Sequence, residues 1–165
     1  MGKIFGVVEG FYRRPYTFGQ RLDLINFLSS VHLNTYVYGP KADPFHRKKW
    51  QEPYPKQKLD EFKKLNALCR AKKMNFVYAL SPMQEPTPED VIKKIDTMMA
   101  IGLTRFSIFF DDIKVPLNLT TAAIQLRIAN GLYEYLQSKV ERPWLWFCPT
   151  QYRGFTKTEY LQSIA

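Results

Sequence analysis

Cysteine is nearly absent from this chain. Two occur in 165 residues, Cys69 and Cys148, far apart and without metal-type spacing. A disulfide scaffold and a cysteine zinc site are thereby excluded, and both residues are read as reduced thiols of a cytosolic-type compartment. Histidine is as scarce: His32 and His46 lack ligand spacing, so a metal hydrolase is excluded and no metal or cofactor is expected. No apolar run approaches the roughly 20 residues that cross a bilayer. The amino end, Met1-Gly2-Lys3-Ile4-Phe5-Gly6, enters strand-like sequence directly and carries no signal-peptide apolar region. These absences set the expectation of a cytoplasmic or nucleocytoplasmic protein. None of the eight glycines belongs to a Gly-rich phosphate loop, which removes the usual mark of a nucleotide-binding doubly wound fold.

What is present describes one packed domain over residues 1–165. Hydrophobic residues make up 45% and aromatics 15%, too apolar for a disordered chain. The formal net charge is +9. Its carriers are short pieces, Lys48-Lys49, Lys63-Lys64, Lys72-Lys73 and Lys93-Lys94, interleaved with Asp60, Glu61, Glu89, Asp90 and Asp96. That pattern reads as solvated helix faces, so neither nucleic acid nor a membrane is expected as partner.

Strand-like and helix-like segments alternate. Short apolar β-runs are expected at Ile4–Val8, Thr35–Tyr38, Phe76–Leu80, Phe106–Phe110 and Trp144–Cys148. Helical periodicity follows each, over Thr17–Val31, Lys58–Met74, Pro88–Ile101, Thr120–Val140 and Lys157–Ile164. Runs apolar on both faces, each followed by a helix, imply a buried parallel sheet in an α/β fold. A distinctive cluster follows every run: Glu9-Gly10-Phe11-Tyr12, Gly39-Pro40-Lys41, Ser81-Pro82, Asp111-Asp112 and Pro149-Thr150-Gln151-Tyr152. Chemistry-bearing groups after every strand are the pattern of a (β/α)8 TIM-type barrel, of which about five of eight units are present.

Asp111-Asp112 is the most pointed of these clusters, because adjacent carboxyl groups behind packed aromatics push their pKa values apart. Glycoside hydrolysis uses two carboxyl groups in different protonation states. Taken alone, the pair reads first as two Asp opening a polar loop.

Six motifs in register change that balance. They are Gly6-Val7-Val8-Glu9-Gly10-Phe11-Tyr12 with Arg14-Pro15; Asn34-Thr35-Tyr36-Val37-Tyr38-Gly39-Pro40-Lys41; and Asp43-Pro44-Phe45-His46-Arg47 with Trp50, Glu52, Pro53 and Tyr54. Tyr78-Ala79-Leu80-Ser81-Pro82, Phe110-Asp111-Asp112-Ile113, and Phe147-Cys148-Pro149-Thr150 with Tyr152 complete the set. Together they resemble the family 84 glycoside hydrolases, the O-GlcNAcases and bacterial β-N-acetylglucosaminidases, over essentially the whole chain.

The resemblance implies the amino-terminal part of a catalytic barrel that hydrolyses terminal N-acetylglucosamine with retention, the sugar's own 2-acetamido group acting as nucleophile. By match, Asp111 would accept the acetamido N–H and Asp112 would be the general acid and base. Gly10, Lys41, Cys148 and Tyr152 would contact the sugar. For Gly10 a plain turn glycine, and for Cys148 core filler, remain open from the residues alone. His46, Arg47 and Trp50 are expected to fix the second loop rather than touch substrate. Four positions depart from the family pattern: Arg13 and Met83 stand where glycine is usual, and Gly39 and Ala42 are milder changes. The family's later sugar-binding Asp, Asn and Trp have no counterpart here, so weak or absent turnover is expected, as is self-association or a completing partner. The other reading is a non-catalytic remnant that binds N-acetylglucosaminyl groups or a protein. Asn118-Leu119-Thr120 is read as helix-entry chemistry rather than as a glycosylation site.

Overall fold

A computed structural model describes residues 3–83, 86–154 and 158–164. Five strands, β1 (Gly6–Glu9), β2 (Thr35–Tyr38), β3 (Asn75–Leu80), β4 (Arg105–Phe109) and β5 (Trp144–Cys148), form one parallel sheet in sequential order. They alternate with α1 (Phe18–Ser30), α2 (Lys56–Ala71), α3 (Pro88–Met99), α4 (Leu119–Lys139) and α5 (Glu159–Ile164). Lys157, expected to open the last helix, lies outside the described residues.

The sheet alternates strictly between two apolar faces. Tyr36, Tyr38, Phe76, Tyr78, Leu80, Phe106, Ile108 and Phe110 share one core with Ile25 and Leu28 of α1, Phe62 and Leu65 of α2, Val91 and Ile95 of α3, and Ile128 and Leu132 of α4. Val37, Val77 and Ala79 pack on the other face with Phe109 and Trp146, and among the described residues none of the hydrophobics packed there comes from a helix. Parallel crossovers are right-handed, so a sheet that never reverses its strand order carries all its helices on one side. That is the wall of a barrel, and it excludes the doubly wound alternative, whose strand order reverses at a switch point.

Local chemistry sets the boundaries. Thr17 caps α1 through the Gln20 amide, with Gln20 returning the bond to Thr17 in a capping box. Thr87 caps α3, with Pro88 in its first turn. Asn118 accepts from the Thr121 amide at 3.0 Å, the helix-entry role expected of it. Gly102, at φ 89°, ends the turn after α3.

The first strand corrects the sequence expectation. It begins at Gly6 rather than Ile4 and is largely exposed rather than buried. As an edge strand it has a single neighbour, and Phe5 and Val8 remain 54% and 51% exposed. The opposite edge, β5, is half-buried throughout and carries Trp144, Trp146 and Phe147. Unpaired backbone beside such apolar groups drives association. Sedimentation of this chain over a dilution series is therefore expected to show self-association, and a monomer at every concentration would contradict that. Among the described residues no helix is long and apolar enough to cross a membrane.

Candidate functional site

The loops after the strands meet at the carboxyl rim of the sheet and are stitched together there. The Gly39 amide donates to the Glu9 carbonyl at 3.2 Å, Lys41 to Phe11 at 3.1 Å, Ser81 to His46 at 3.0 Å and Phe110 to Cys148 at 2.8 Å. Thr150 adds a hydroxyl bond to the Phe110 carbonyl at 2.9 Å. The five post-strand clusters are thus one continuous surface.

Asp111 and Asp112 occupy its centre, behind β4. Regular strand geometry would send adjacent side chains to opposite faces. Here the strand ends at Phe109, and Asp112 takes a left-handed backbone with φ 56°. Asp is among the non-glycine residues that tolerate this region, through its short polar side chain.

The two carboxylates have different company. Asp111 Oδ1 lies 2.5 Å from Lys41 Nζ, across 70 residues of sequence. The Lys41 side chain is 1% exposed, that of Asp111 17%. Lys41 is therefore a buried partner of Asp111 rather than a solvent-facing lysine, and its ammonium also lies 5.6 Å from the Phe109 ring centroid. Asp112 instead accepts from the Tyr152 hydroxyl at 3.2 Å on Oδ1, and Tyr12 hydrogen-bonds to the same side chain. Both tyrosine pKa values are raised, chiefly by partial burial and then by the Asp112 carboxylate. Both phenols thus stay protonated donors. A polar depression of about 340 Å³, bounded by Asp112, Thr150, Gln151, Tyr152 and Arg153, opens beside this pair.

Cys148 ends β5 with its thiol pKa pushed up to about 11, first by burial and then by Asp111. A thiol held protonated is no nucleophile at neutral pH. Gly10 does not adopt left-handed backbone, and a Cβ there would meet only Val8 at 3.4 Å. Packing and conformation give it no reason to be glycine. Gly39 does have one: an added Cβ would stand 3.1 Å from Ala79 and 3.3 Å from the Phe109 ring.

The sequence grouped Glu9 with the rim cluster, and the structure removes it. Glu9 is the last residue of β1, fully buried, with Arg21 Nε on Oε2 at 2.9 Å and Nη2 on Oε1 at 2.8 Å. The Tyr16 amide and the Tyr36 hydroxyl complete its bonding. Fully paired, it anchors α1 to the sheet; losing either charge would strand the other in the core. Conversely, the sequence motifs alone give Tyr12 no role. Its position in the loop after β1, on the rim that carries every other candidate, is the signal that could have found it.

The second loop is fixed as expected. His46 Nδ1 bonds the Ala79 carbonyl at 2.7 Å, and Trp50 Nε1 donates to the Met83 carbonyl at 2.6 Å. Arg47 reaches further, donating from Nη2 to the Asp112 carbonyl at 2.7 Å. Burial lowers the His46 pKa from 6.5 to about 4, with Asp43 opposing and Lys41 and Arg47 reinforcing the shift. The folded protein therefore holds His46 neutral, while the unfolded chain protonates it below pH 6.5. Stability is complete above 6.5 and falls as pH drops toward 4, by on the order of 3 kcal/mol at most. Urea midpoints measured between pH 7 and 4 should drop, and His46→Gln should flatten that drop. An equally steep drop in the variant would contradict the assignment. Among the described residues no group of three His, Cys, Asp or Glu could hold a metal.

Comparison with known proteins identifies the family. The family model described as β-N-acetylglucosaminidase matches residues 5–165. The Protein O-GlcNAcases of Rattus norvegicus and Mus musculus are each 35% identical over 96% of this chain. The chain spans only 19% of their length. A solved mutant of the Thermobaculum terrenum O-GlcNAc hydrolase superposes with a TM-score of 0.89 at 31% identity, covering 98% of this chain and 38% of that one. A match over nearly every residue, in sequence and in fold, means that the chain belongs to the β-N-acetylglucosaminidase family, the family 84 glycoside hydrolases.

Proposed function

We propose that residues 1–165 form one catalytic-domain portion that hydrolyses terminal β-linked N-acetylglucosamine, with glycoproteins bearing that sugar as substrates. The observation that carries the reading is the unequal environment of Asp111 and Asp112: one lies on a buried ammonium, the other between two phenols.

The acetamido carbonyl oxygen attacks the anomeric carbon while its N–H donates to Asp111, whose negative charge stabilises the developing oxazolinium. Lys41, 2.5 Å away through Nζ, holds Asp111 in place. As the glycosidic C–O bond breaks, Asp112 delivers its proton to the leaving oxygen. The oxazoline then opens: water loses a proton to the Asp112 carboxylate and adds to the anomeric carbon on the original face. Two displacements give retention, and no enzyme carboxylate becomes covalently attached, the substrate-assisted exception among glycosidases. Tyr152 and Tyr12 orient Asp112, Cys148 lines the space for the acetamido methyl, and Gly10 lets backbone approach the sugar.

A non-catalytic, sugar-binding role is the second reading, favoured by the uncovered inner face of the sheet around Val37, Val77 and Trp146. A fluorogenic N-acetylglucosaminide separates the two: release of the fluorophore supports hydrolysis, and binding of the sugar without release supports the alternative.

A further inference from the structure

We propose that Arg47 is the positioning residue for Asp112, holding that aspartate in its left-handed turn so that its carboxyl faces the leaving group. The inference rests on the reading of Asp112 as general acid. Three observations converge on it.

First, Asp112 needs a hold. A non-glycine residue at φ 56° occupies a sparsely populated region and persists only where surrounding contacts over-determine it. Its carbonyl receives that contact from Arg47 Nη2 at 2.7 Å, across 65 residues. Second, the same guanidinium lies 5.7 Å from the Tyr12 ring centroid, and Tyr12 hydrogen-bonds to the Asp112 side chain. Arg47 thereby grips both ends of the aspartate, its backbone directly and its carboxyl through Tyr12. A guanidinium carries several N–H donors in one fixed plane, so it can hold the Asp112 carbonyl at one edge while lying over the Tyr12 ring. Third, the arginine is itself immobilised. It is 5% exposed, and its neighbour His46 is stapled to β3 through the Ala79 carbonyl at 2.7 Å and the Ser81 amide at 3.0 Å. Arg47 Nη1 is buried without an acceptor. An arginine serving stability alone would be poorly placed there, since an unpartnered buried donor costs stability. Its Nη2 bond to Asp112 gives the placement a reason.

The test compares Arg47→Met and Arg47→Lys with the unsubstituted chain, using aryl N-acetylglucosaminides of graded leaving-group ability. Misplacing a catalytic group by about 1 Å costs roughly 10²-fold. Arg47→Met should lose about that much kcat on poor leaving groups, far less on activated ones, with KM and thiazoline affinity nearly unchanged. Arg47→Lys, which keeps the buried charge if the methionine variant fails to fold, should recover part of the loss. Combined with Asp112→Asn, neither substitution should add further loss. Equal losses across leaving groups, or additivity with Asp112→Asn, would overturn the proposal. A measurement independent of turnover reads the Asp112 φ by NMR, from its amide–Hα coupling and Cα shift. In Arg47→Met it should leave the left-handed region, and an unchanged Asp112 would overturn the proposal. In a chain that turns over nothing, the NMR result alone decides what Arg47 does.

Discussion

Asp112→Asn should remove most hydrolysis of N-acetylglucosaminides with poor leaving groups, a loss of about a hundredfold or more. An amide cannot deliver the proton that an alkoxide-like leaving oxygen needs. Activated aryl glycosides depart without protonation, so their first step should suffer much less. Asp111→Asn should behave differently and hurt both substrate types, because under the proposed mechanism Asp111 acts on the acetamido nucleophile that both share. The geometry gives this contrast a basis: Asp111 sits on Lys41 Nζ at 2.5 Å, whereas Asp112 meets phenols. Steady-state kinetics on a matched pair of substrates reads it directly. Equal and mild losses for Asp112→Asn on both would sink its assignment as the acid.

Much of this architecture is legible in the residues. The bounds of β2 and β5 follow from Thr35-Tyr36-Val37-Tyr38 and Trp144-Leu145-Trp146-Phe147-Cys148 to the residue, because both are short, apolar and flanked by breakers. The gathering of every post-strand cluster on one rim follows from parallel strands alone. Helix starts were readable from Thr17, Thr87 and Asn118, since capping is local chemistry.

What escaped the sequence depends on distant partners. Glu9 looks like a rim acid until Arg21 is seen beside it, and only packing of α1 on β1 puts it there. The Lys41–Asp111 contact spans 70 residues and the Arg47–Asp112 bond 65, and neither has a periodicity to betray it. The exposure of β1 escaped for another reason. An apolar run reports that a face is meant to be covered, and Val8 is apolar while its strand has one neighbour and an open inner face. The turn at Asp112 was anticipated only as the end of a strand. Its left-handed φ is a choice that Asp tolerates rather than one it announces.

The second large effect concerns the substrate rather than the protein. If the 2-acetamido group is the nucleophile, a β-glucoside without it has no first step at this site. The site should also favour the oxazoline geometry over the ground-state sugar, so a thiazoline mimic should inhibit far better than N-acetylglucosamine itself. Under the proposed mechanism Asp111 accepts the acetamido N–H, and a plain glucoside has none to offer. This places the whole account on one paired assay. The chain is given the 4-methylumbelliferyl β-N-acetylglucosaminide and the matching β-glucoside at equal concentration, with and without the thiazoline. Slow, thiazoline-sensitive release is expected from the first and none from the second. Comparable release from both, or turnover indifferent to the thiazoline, would contradict it.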